Sequence, residues 1–366
     1  MKFKSERDIL VEALSAASRV VATRLIGASS GVLLSLTDNH LTVTGTDLDI
    51  TVRTKVDVIG LEDGSCVVPA RLIVDAVRSL EAGAVTIAGG DETVEVSLGR
   101  AKFSLRTFSV MDYPNLPPVT GGLTTVPAHD LIQGLNQVVR AAANDDARPL
   151  LTGVLFTTED STLRLIATDS YRLAVRDVPG VTGIGAGHDL LVPARALQEL
   201  QRAAASLSDD AEIGVTLTDA EICFIVGTTT IASRLIDGNY PSVLQLIPAS
   251  YPNQMRIAKD TLLTSLKRAK LLAKDSTSSV RLTMKDKSVE IRTQSHDAGD
   301  VEDNVDADYS GEEMTIAFNP SFLIDGIEAV PGDEVVLEMS DAVRPAMVHG
   351  VDDTRFRYLL MPVRVQ

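Results

Sequence analysis

Leu41-Thr-Val-Thr-Gly-Thr-Asp47 is an alternating, strand-like segment of this chain, and it has a second copy in Leu163-Arg-Leu-Ile-Ala-Thr-Asp169. Each copy follows a shorter apolar segment, Gly31-Val-Leu-Leu34 in the first case and Gly153-Val-Leu-Phe156 in the second. Both pairs have the same internal spacing, without an insertion. Alternation of apolar and polar residues predicts half-buried β-strands. The chain therefore contains a repeated β-hairpin.

A proline-marked helix is repeated as well. Val68-Pro-Ala-Arg71 and Val192-Pro-Ala-Arg195 precede patterns with helical spacing, and Phe318-Asn-Pro-Ser321 is a weaker third copy. Because proline is well tolerated at the start of a helix, each motif predicts a helix there. A third hairpin, around the turn residues 285–288, accompanies the third motif. Three modules of about 120 residues thus account for the chain.

The boundaries between modules follow from two segments with linker composition, Pro117-Pro-Val-Thr-Gly-Gly122 and Ile247-Pro-Ala-Ser-Tyr-Pro252. We place the modules at residues 1–123, 124–247 and 248–366. In each module an opening helix, alternating strands, the proline-marked helix and further strands follow one another. This order favours antiparallel sheets covered by helices on one side, so the predicted class is α+β.

Composition excludes several classes of protein. With 366 residues, of which 45% are hydrophobic, the chain can bury two or three cores. No apolar run approaches the roughly 18 residues of a membrane span, and the first residues lack the apolar core of a signal peptide. We expect a cytoplasmic protein with no membrane partner. Cys66 and Cys223 lie in separate strand-like segments, so we expect small core residues rather than a disulfide or a metal site.

Positive charges recur at one position of the repeat, although the net charge is −16. Arg71 and Arg78 share a face of the first proline-marked helix, and Arg195 and Arg202 have the same spacing in the second. Side-by-side modules would align these faces into a basic strip on an acidic body. Such a strip predicts a surface for a polyanion.

The third module departs from this register. Ser321 and Glu328 occupy the equivalent positions of its proline-marked helix, whereas Lys267 and Lys270 form a basic stripe on its opening helix. Residues 297–313 are dense in acids, and we interpret them as a solvated loop. The stretch that begins at Asp306 starts like a calcium loop but lacks the final glutamate that calcium binding requires.

Catalytic constellations are mostly absent. The five histidines show no paired ligand spacing, and the sequence has no nucleophile elbow and no phosphate-binding loop. Thr46-Asp47 and Thr168-Asp169 could supply carboxylates for acid and base catalysis. Their duplication at two strand ends favours a role in turns instead. We therefore predict no catalytic residue, no metal and no cofactor.

Six motifs together resemble the bacterial DNA polymerase III beta sliding clamp family over the full length of the chain. They are Met1-Lys-Phe3, Thr44-Gly-Thr-Asp-Leu48, Val68-Pro-Ala-Arg71, Ala167-Thr-Asp-Ser-Tyr-Arg-Leu-Ala-Val175, the run from Tyr309 to Pro320, and Met361-Pro-Val-Arg364. The resemblance implies three clamp domains per chain and a head-to-tail homodimeric ring, with antiparallel sheets outside and helices lining the interior. Such a ring slides on duplex DNA without sequence specificity. It holds the replicative polymerase, the clamp loader and repair proteins through short linear peptides.

The resemblance also implies two sets of functional residues, the peptide-binding cleft and the dimer interface, and the basic residues found independently of it supply a third set. The peptide-binding cleft would contain Leu151, Thr168, Tyr171, Arg172, Leu173, Pro241, Leu246, Val343, Met361, Pro362, Val363 and Arg364. The DNA-facing residues would be Arg24, Arg71, Arg78, Arg140, Arg195, Arg202, Lys267 and Lys270. The dimer interface would place Phe103 and Leu105 of one copy against Leu271 and Leu272 of the other.

Two other classes of protein stay open from the residues alone. One is a hydrolase that uses the Thr-Asp sites, and the other is a scaffold that binds a small molecule. An enzyme should show one asymmetric polar cluster, whereas this chain repeats its polar positions. Residues 25–30, Ser170 and Gln245 depart from the usual pattern of the family, which affects loop geometry and peptide preference.

Overall fold

The structure, a computed structural model, describes residues 1–22, 26–90, 92–116, 120–145, 147–159, 162–181, 184, 188–273, 279–295 and 299–364. These residues form two compact units. Unit 1 comprises Met1–His129 and Arg195–Leu235, and unit 2 comprises Asp130–Ala194 and Ile236–Gln366. The second predicted module is therefore divided between the two units.

The described residues contain six α-helices and 26 strands. The helices are α1 (Arg7–Val20), α2 (Ala70–Arg78), α3 (Ala128–Val138), α4 (Ala194–Ala203), α5 (Lys259–Leu272) and α6 (Pro320–Ala329). The strands up to residue 127 are β1 (Lys2–Glu6), β2 (Gly31–Thr37), β3 (His40–Thr46), β4 (Ile50–Asp57), β5 (Ile59–Glu62), β6 (Gly64–Pro69), β7 (Ala84–Gly89), β8 (Thr93–Leu98), β9 (Ala101–Arg106) and β10 (Leu123–Pro127).

The remaining strands repeat this arrangement of hairpins around the later helices. Up to residue 234 they are β11 (Gly153–Glu159), β12 (Thr162–Thr168), β13 (Arg172–Pro179), β14 (Leu190–Pro193), β15 (Glu212–Leu217), β16 (Glu221–Val226) and β17 (Thr229–Arg234). Beyond it they are β18 (Asn253–Ala258), β19 (Val280–Lys285), β20 (Ser288–Ser295), β21 (Gly299–Asp306), β22 (Asp308–Ser310), β23 (Met314–Phe318), β24 (Glu334–Met339), β25 (Ala346–Gly350) and β26 (Phe356–Leu360).

Unit 1 contains two antiparallel sheets. The five-stranded sheet has the order β5-β1-β7-β8-β9, so β9 is an end strand. The eight-stranded sheet has the order β10-β15-β16-β17-β4-β3-β2-β6. In this sheet Ile231 of β17 lies opposite Val52 of β4. Strands from the first and second predicted modules are thus hydrogen-bonded into one sheet.

Unit 2 repeats this construction. Its nine-stranded sheet has the order β14-β11-β12-β13-β26-β25-β24-β18-β22, and its four-stranded sheet has the order β21-β20-β19-β23. Leu359 of β26 lies opposite Leu173 of β13, which joins the second and third predicted modules. β21 is an end strand of the smaller sheet. The predicted α+β class with antiparallel sheets is confirmed.

Helix spacing explains how the helices cover the sheets. In unit 1, α1 buries Leu10 and Leu14, and α2 buries Ile73 and Val77, in one apolar cluster with the strands. Apolar residues three or four positions apart form a single face of a helix, which leaves the charged face to solvent. In unit 2, α5 and α6 bury their apolar faces in the same way. No described helix is long and apolar enough to cross a membrane.

The proline motifs begin helices, as predicted, but in two different ways. Pro69 and Pro193 are the last residues of β6 and β14, directly before α2 and α4. Pro320 is the first residue of α6, where the Asn319 side chain accepts hydrogen bonds from the main chain of Ser321 and Phe322. The shared role is therefore a sharp change from extended to helical backbone.

The interpretation of residues 297–313 as a solvated loop is wrong. Among the described residues of this segment, Gly299–Asp306 is strand β21, which pairs with β20, and Asp308–Ser310 is strand β22. Val305 is buried and Val301 is half-buried, so acids alternate with inward-facing residues. The high charge of the segment obscured the alternation of inward-facing and outward-facing residues that is typical of a strand. A calcium loop is excluded because its would-be ligands belong to two strands.

Candidate functional site

A tight turn between β12 and β13 carries four of the predicted cleft residues. Thr168 Oγ1 donates to the carbonyl of Arg172 at 2.6 Å. Asp169 Oδ1 accepts the main-chain N–H groups of Tyr171 and Arg172 at 2.9 and 3.0 Å. The Thr-Asp pair is thus used by its own turn, which is the structural role that duplication favoured. The turn leaves Tyr171 60% exposed.

Arg172 is buried and is held by several groups of its own unit. Its guanidinium forms ion pairs with Asp169 at 2.9 Å and Asp325 at 2.6 Å, and it lies 4.3 Å from the centre of the Phe322 ring. It also donates to the carbonyl of Arg140. Burial disfavours the charge, but the surrounding partners outweigh it, so the pKa of Arg172 lies above its ordinary value. Arg172 therefore supports the turn from its buried side.

Exposed apolar side chains occur in this turn and on other segments of unit 2. They are Tyr171, Leu244, Leu246, Val343 and Met361. Each lies close in sequence to a member of one buried cluster that includes Leu173, Val243, Met347 and Leu359. The buried cluster packs the segments that carry the exposed residues. Isolated apolar residues are common on surfaces, whereas a grouped set indicates a binding surface.

The last described residues lie along the edge of this surface. The N–H of Met361 donates to the carbonyl of Tyr171, and the N–H of Val363 donates to the carbonyl of Ala317. Pro362 and Val363 are half-buried, and Arg364 is exposed. Met361 and the turn residue Tyr171 are therefore direct neighbours through the main chain.

The other predicted cleft residues differ in exposure. Leu151 is buried in the 3₁₀ turn Pro149–Thr152. Arg148, the residue before that turn, donates to the carbonyl of Asp169 at 2.9 Å, which joins the 3₁₀ turn to the turn between β12 and β13. Pro241 is exposed and precedes the 3₁₀ turn Val243–Leu246. Of these two predicted cleft residues, Leu151 is therefore buried, whereas Pro241 is accessible to solvent.

Unit 1 contains the same turn with different side chains. Thr46 and Asp47 bond the main chain of Leu48 and Ile50 as Thr168 and Asp169 do in unit 2. Leu48 has a φ of 82° and Ser170 a φ of 75°, both in the left-handed region. Where unit 2 has Tyr171 beside Met361, unit 1 has Asp49 beside Arg234, joined by the same main-chain bond. The repeat therefore reproduces the scaffold, but the apolar surface is particular to unit 2.

The described basic residues predicted for unit 1 lie on two helices, α2 and α4. Arg78 of α2 donates to Ser15 of α1 at 3.2 Å. Arg195 of α4 is exposed and pairs with Asp47 at 2.8 Å. Arg202 of α4 is exposed and bonds Glu199 of the same helix. Arg71 is exposed on α2. Arg24 lies outside the described residues.

Unit 2 has its own cluster of basic residues around α6. Arg140 and Lys267 both pair with Glu328, at 3.0 and 2.9 Å, and all three side chains are partly exposed. Gln137 of α3 donates to the carbonyl of Ala329 at 2.9 Å, so α3, α6 and α5 are neighbours. Lys270 is exposed on α5, and no ion pair joins it to another described residue.

The predicted interface residues lie on an end strand of unit 1 and in the last turn of a helix of unit 2. Phe103 and Leu105 of β9 are half-buried and pack against the apolar cluster of unit 1. Leu271 in the last turn of α5 is 70% exposed, and Leu272 is half-buried.

Clusters of metal-ligating side chains are not found among the residues that the structure describes. No group of three or more His, Cys, Asp or Glu side chains there could hold a metal ion. Cys66 and Cys223 are free and buried, in agreement with their prediction as core residues.

Comparison with known proteins identifies the family. Models of the N-terminal, central and C-terminal domains of the DNA polymerase III beta subunit match residues 1–117, 125–242 and 244–364. The chain belongs to the DNA polymerase III beta subunit family. Beta sliding clamps of Streptomyces coelicolor and Bacillus subtilis are 31% and 30% identical to it, each over 100% of both chains.

Solved structures of the family have the same fold. A DnaN sliding clamp from Bartonella birtlesii bound to griselimycin matches with a TM-score of 0.91 and 28% identity, over 100% of both chains. The sliding clamp from Bacillus subtilis matches with a TM-score of 0.87 and 28% identity, also over 100% of both chains. The three clamp domains are thereby confirmed. As a beta sliding clamp, the chain is a processivity factor of DNA replication and not a catalytic enzyme.

Some residues of the clamp surface were missed from the sequence. Phe322 and Asp325 of α6 hold Arg172, and Phe322 also stacks on Tyr171, with 6.3 Å between ring centres. The sequence could have indicated Asp325, because an acidic residue recurs at one position of the proline-marked helices. Asp75, Glu199 and Asp325 are the sixth residues of α2, α4 and α6.

Proposed function

We propose that two copies of this chain form a head-to-tail ring around duplex DNA, with modules at residues 1–123, 124–247 and 248–366. The observation that carries the proposal is the pattern of strand edges. β17 of the second module pairs with β4 of the first, and β26 of the third pairs with β13 of the second. The strands at the equivalent places, β9 and β21, are end strands in the described part of the chain.

Pairing of β9 from one copy with β21 from the other would continue the repeat. An end strand has unpaired N–H and C=O groups that a second strand can satisfy. Exposed Lys102 and Arg106 on β9 complement exposed Asp300 and Glu302 on β21. Leu271 and Leu272 would meet the partner beside Phe103 and Leu105. A head-to-tail contact whose rotation closes gives a finite ring.

The helices would line the ring and face DNA. Each unit has a layer of three neighbouring helices that carries exposed cations, and the cations supply contacts to phosphates without reading bases. The acidic remainder of the chain would limit binding elsewhere. Arg24 remains part of this proposed surface.

The apolar surface around Tyr171 would bind short linear peptides of the replicative polymerase, the clamp loader and repair proteins, in the cytoplasm. Leu173 and Leu151 support its floor, and Tyr171, Leu246, Val343 and Met361 offer apolar contact. Methionine adapts to varied side chains, which suits one site with several partners. Arg364 is exposed and can orient a bound segment.

Light scattering and DNA retention test the ring directly. We expect a dimer of twice 39.1 kDa. After loading by a clamp loader, it should remain on nicked circular plasmid and leave the same plasmid once linearised, because a ring slides off a free end. A monomer, or equal retention on both DNA forms, would contradict the proposal.

A further inference from the structure

Glu328 lies within the basic cluster of unit 2. On α6 it occupies the ninth position, where α2 has Arg78 and α4 has Arg202. Its two carboxylate oxygens accept from Arg140 Nη1 at 3.0 Å and pair with Lys267 Nζ at 2.9 Å. The side chains of Arg140 and Lys267 are 58% and 57% exposed. Glu328 thus forms ion pairs with two residues of the proposed DNA-facing set, Arg140 and Lys267.

The ionised form of this carboxylate is favoured. The hydrogen bond from Lys267 lowers the pKa of Glu328, partial burial opposes this, and the hydrogen bond from Arg140 lowers it further. The carboxylate remains charged at neutral pH. It therefore uses the same donors that a DNA phosphate would use.

We propose that Glu328 is an internal competitor of DNA phosphates that keeps the contact between this surface and DNA weak. The proposal rests on the proposed function, because it concerns the same DNA-facing surface. A phosphate that approaches Arg140 or Lys267 must displace Glu328 or share the cation with it. Each phosphate then contributes less to affinity, so the protein can exchange phosphates quickly as it moves along the duplex.

An equivalent arrangement occurs in unit 1. Glu199 of α4 accepts from Arg19 of α1 at 2.8 Å and also bonds Arg202. Glu199 is buried, so its removal would leave a cavity and unpaired partners as well as free cations. Glu328 is partly exposed and can be replaced with less disturbance. It is therefore the residue on which the competition can be measured.

The test is a Glu328→Gln variant of the full chain, titrated with a fluorescein-labelled duplex of about 30 base pairs between about 50 and 200 mM salt. Glutamine keeps the size of the side chain and removes its charge. The variant should bind more tightly than wild type, with a salt slope steeper by about 0.9 for each further phosphate that it neutralises. The ratio of its affinity to that of wild type should therefore fall about threefold for each such phosphate as the salt concentration rises from about 50 to 200 mM.

Glu334→Gln is the matched control. Glu334 pairs with Arg256 on strands β24 and β18, and both side chains are exposed, so the variant changes the net charge equally but on a sheet instead of on a helix. Equal affinities of the two variants, or weaker binding by Glu328→Gln, would overturn the competition. If Glu328→Gln unfolds at a lower temperature than wild type, Glu328→Ser is titrated in its place, with the same expectation.

Lys270→Ala separates this inference from the proposed function. Lys270 lies on α5 without an ion pair to another described residue, so its loss should weaken DNA binding and reduce the salt slope. If Lys270→Ala binds DNA more weakly than wild type and Glu328→Gln binds it with wild-type affinity, only the competition is refuted. Unchanged binding by Lys270→Ala would refute the DNA-facing surface itself.

Discussion

The main-chain N–H of Met361 donates to the carbonyl of Tyr171 at 2.9 Å, so the end of the last strand is joined to the turn that presents the most exposed aromatic ring of unit 2. This bond makes two side chains that are far apart in sequence act as one apolar surface. Their exposure carries the expectation that a peptide covers them.

Tyr171→Ala should weaken the binding of polymerase-derived peptides by about 2 kcal/mol, roughly thirtyfold, because aromatic anchors contribute most to such contacts. Deletion of residues 361–366 should abolish binding, since it removes one wall of the surface. Neither change touches the proposed dimer joint. Isothermal calorimetry measures the affinities, and light scattering checks the dimer.

Leu123→Ala provides the control for Tyr171→Ala. Leu123 is an exposed apolar residue of β10 in unit 1, whereas the apolar surface belongs to unit 2. Its replacement should leave peptide affinity unchanged. If deletion of residues 361–366 left the affinity at the wild-type value, the location of the cleft would be wrong even though the fold is that of a clamp.

The double change Leu271→Ala and Leu272→Ala should convert the dimer to folded monomers, because it removes apolar area at the proposed joint. Leu61→Ala is the comparison, since Leu61 is exposed on β5 at the opposite end of the sheet that contains β9. Sedimentation should detect monomers only in the first variant, and circular dichroism should report native structure in both. A persistent dimer in the double variant would count against this interface.

Ser170→Gly should stabilise the protein by about 1 kcal/mol, because a φ of 75° is costly for a residue with a Cβ atom and not for glycine. The hydroxyl of Ser170 accepts from Arg148 at 3.1 Å, so its loss offsets part of the gain. Ser170→Ala keeps the strain and loses the hydroxyl. Chemical denaturation should rank glycine above serine and alanine below it, and the reverse order would exclude strain at this turn.

Both thiols should resist alkylation in the native state. Burial raises the pKa of Cys66 to about 12 and the pKa of Cys223 to about 11. The reactive thiolate forms only as the pH rises toward these values, so labelling at about pH 8 should be slow. In denaturant both thiols should react at the ordinary rate. Rapid native labelling of either thiol, measured by mass spectrometry, would mean that its strand opens readily.

The sequence predicted the elements that depend on local patterns. The hairpin of β2 and β3, the helix after Pro69 and the turn role of Thr168 and Asp169 all follow from period, proline chemistry and duplication. Strand β21 was missed because its exposed acids concealed the alternation around Val305. Local composition indicated a loop, whereas pairing with β20 decides the structure.

Long-range partners could not be derived in the same way. The sequence places Arg172 among the residues of the peptide-binding cleft. Its actual partners, Asp325 and Phe322, lie more than 100 residues away on helix α6. Similarly, the register of Lys267 and Lys270 revealed their positive charge but not that Glu328 binds Lys267. Such contacts depend on how strands and helices assemble, which a pattern of residue types does not encode.

The strand pairs β17 with β4 and β26 with β13 divide the central repeat between two compact units. The repeat unit of the sequence is therefore not the compact unit of the structure. A fragment cut at the repeat boundaries would expose the edges of β13 and β17 and lose half of each large sheet, so it should be insoluble as an isolated domain. Successful dissection requires cuts near residues 129, 195 and 235 instead, with the two separated pieces of each unit rejoined by a short artificial linker.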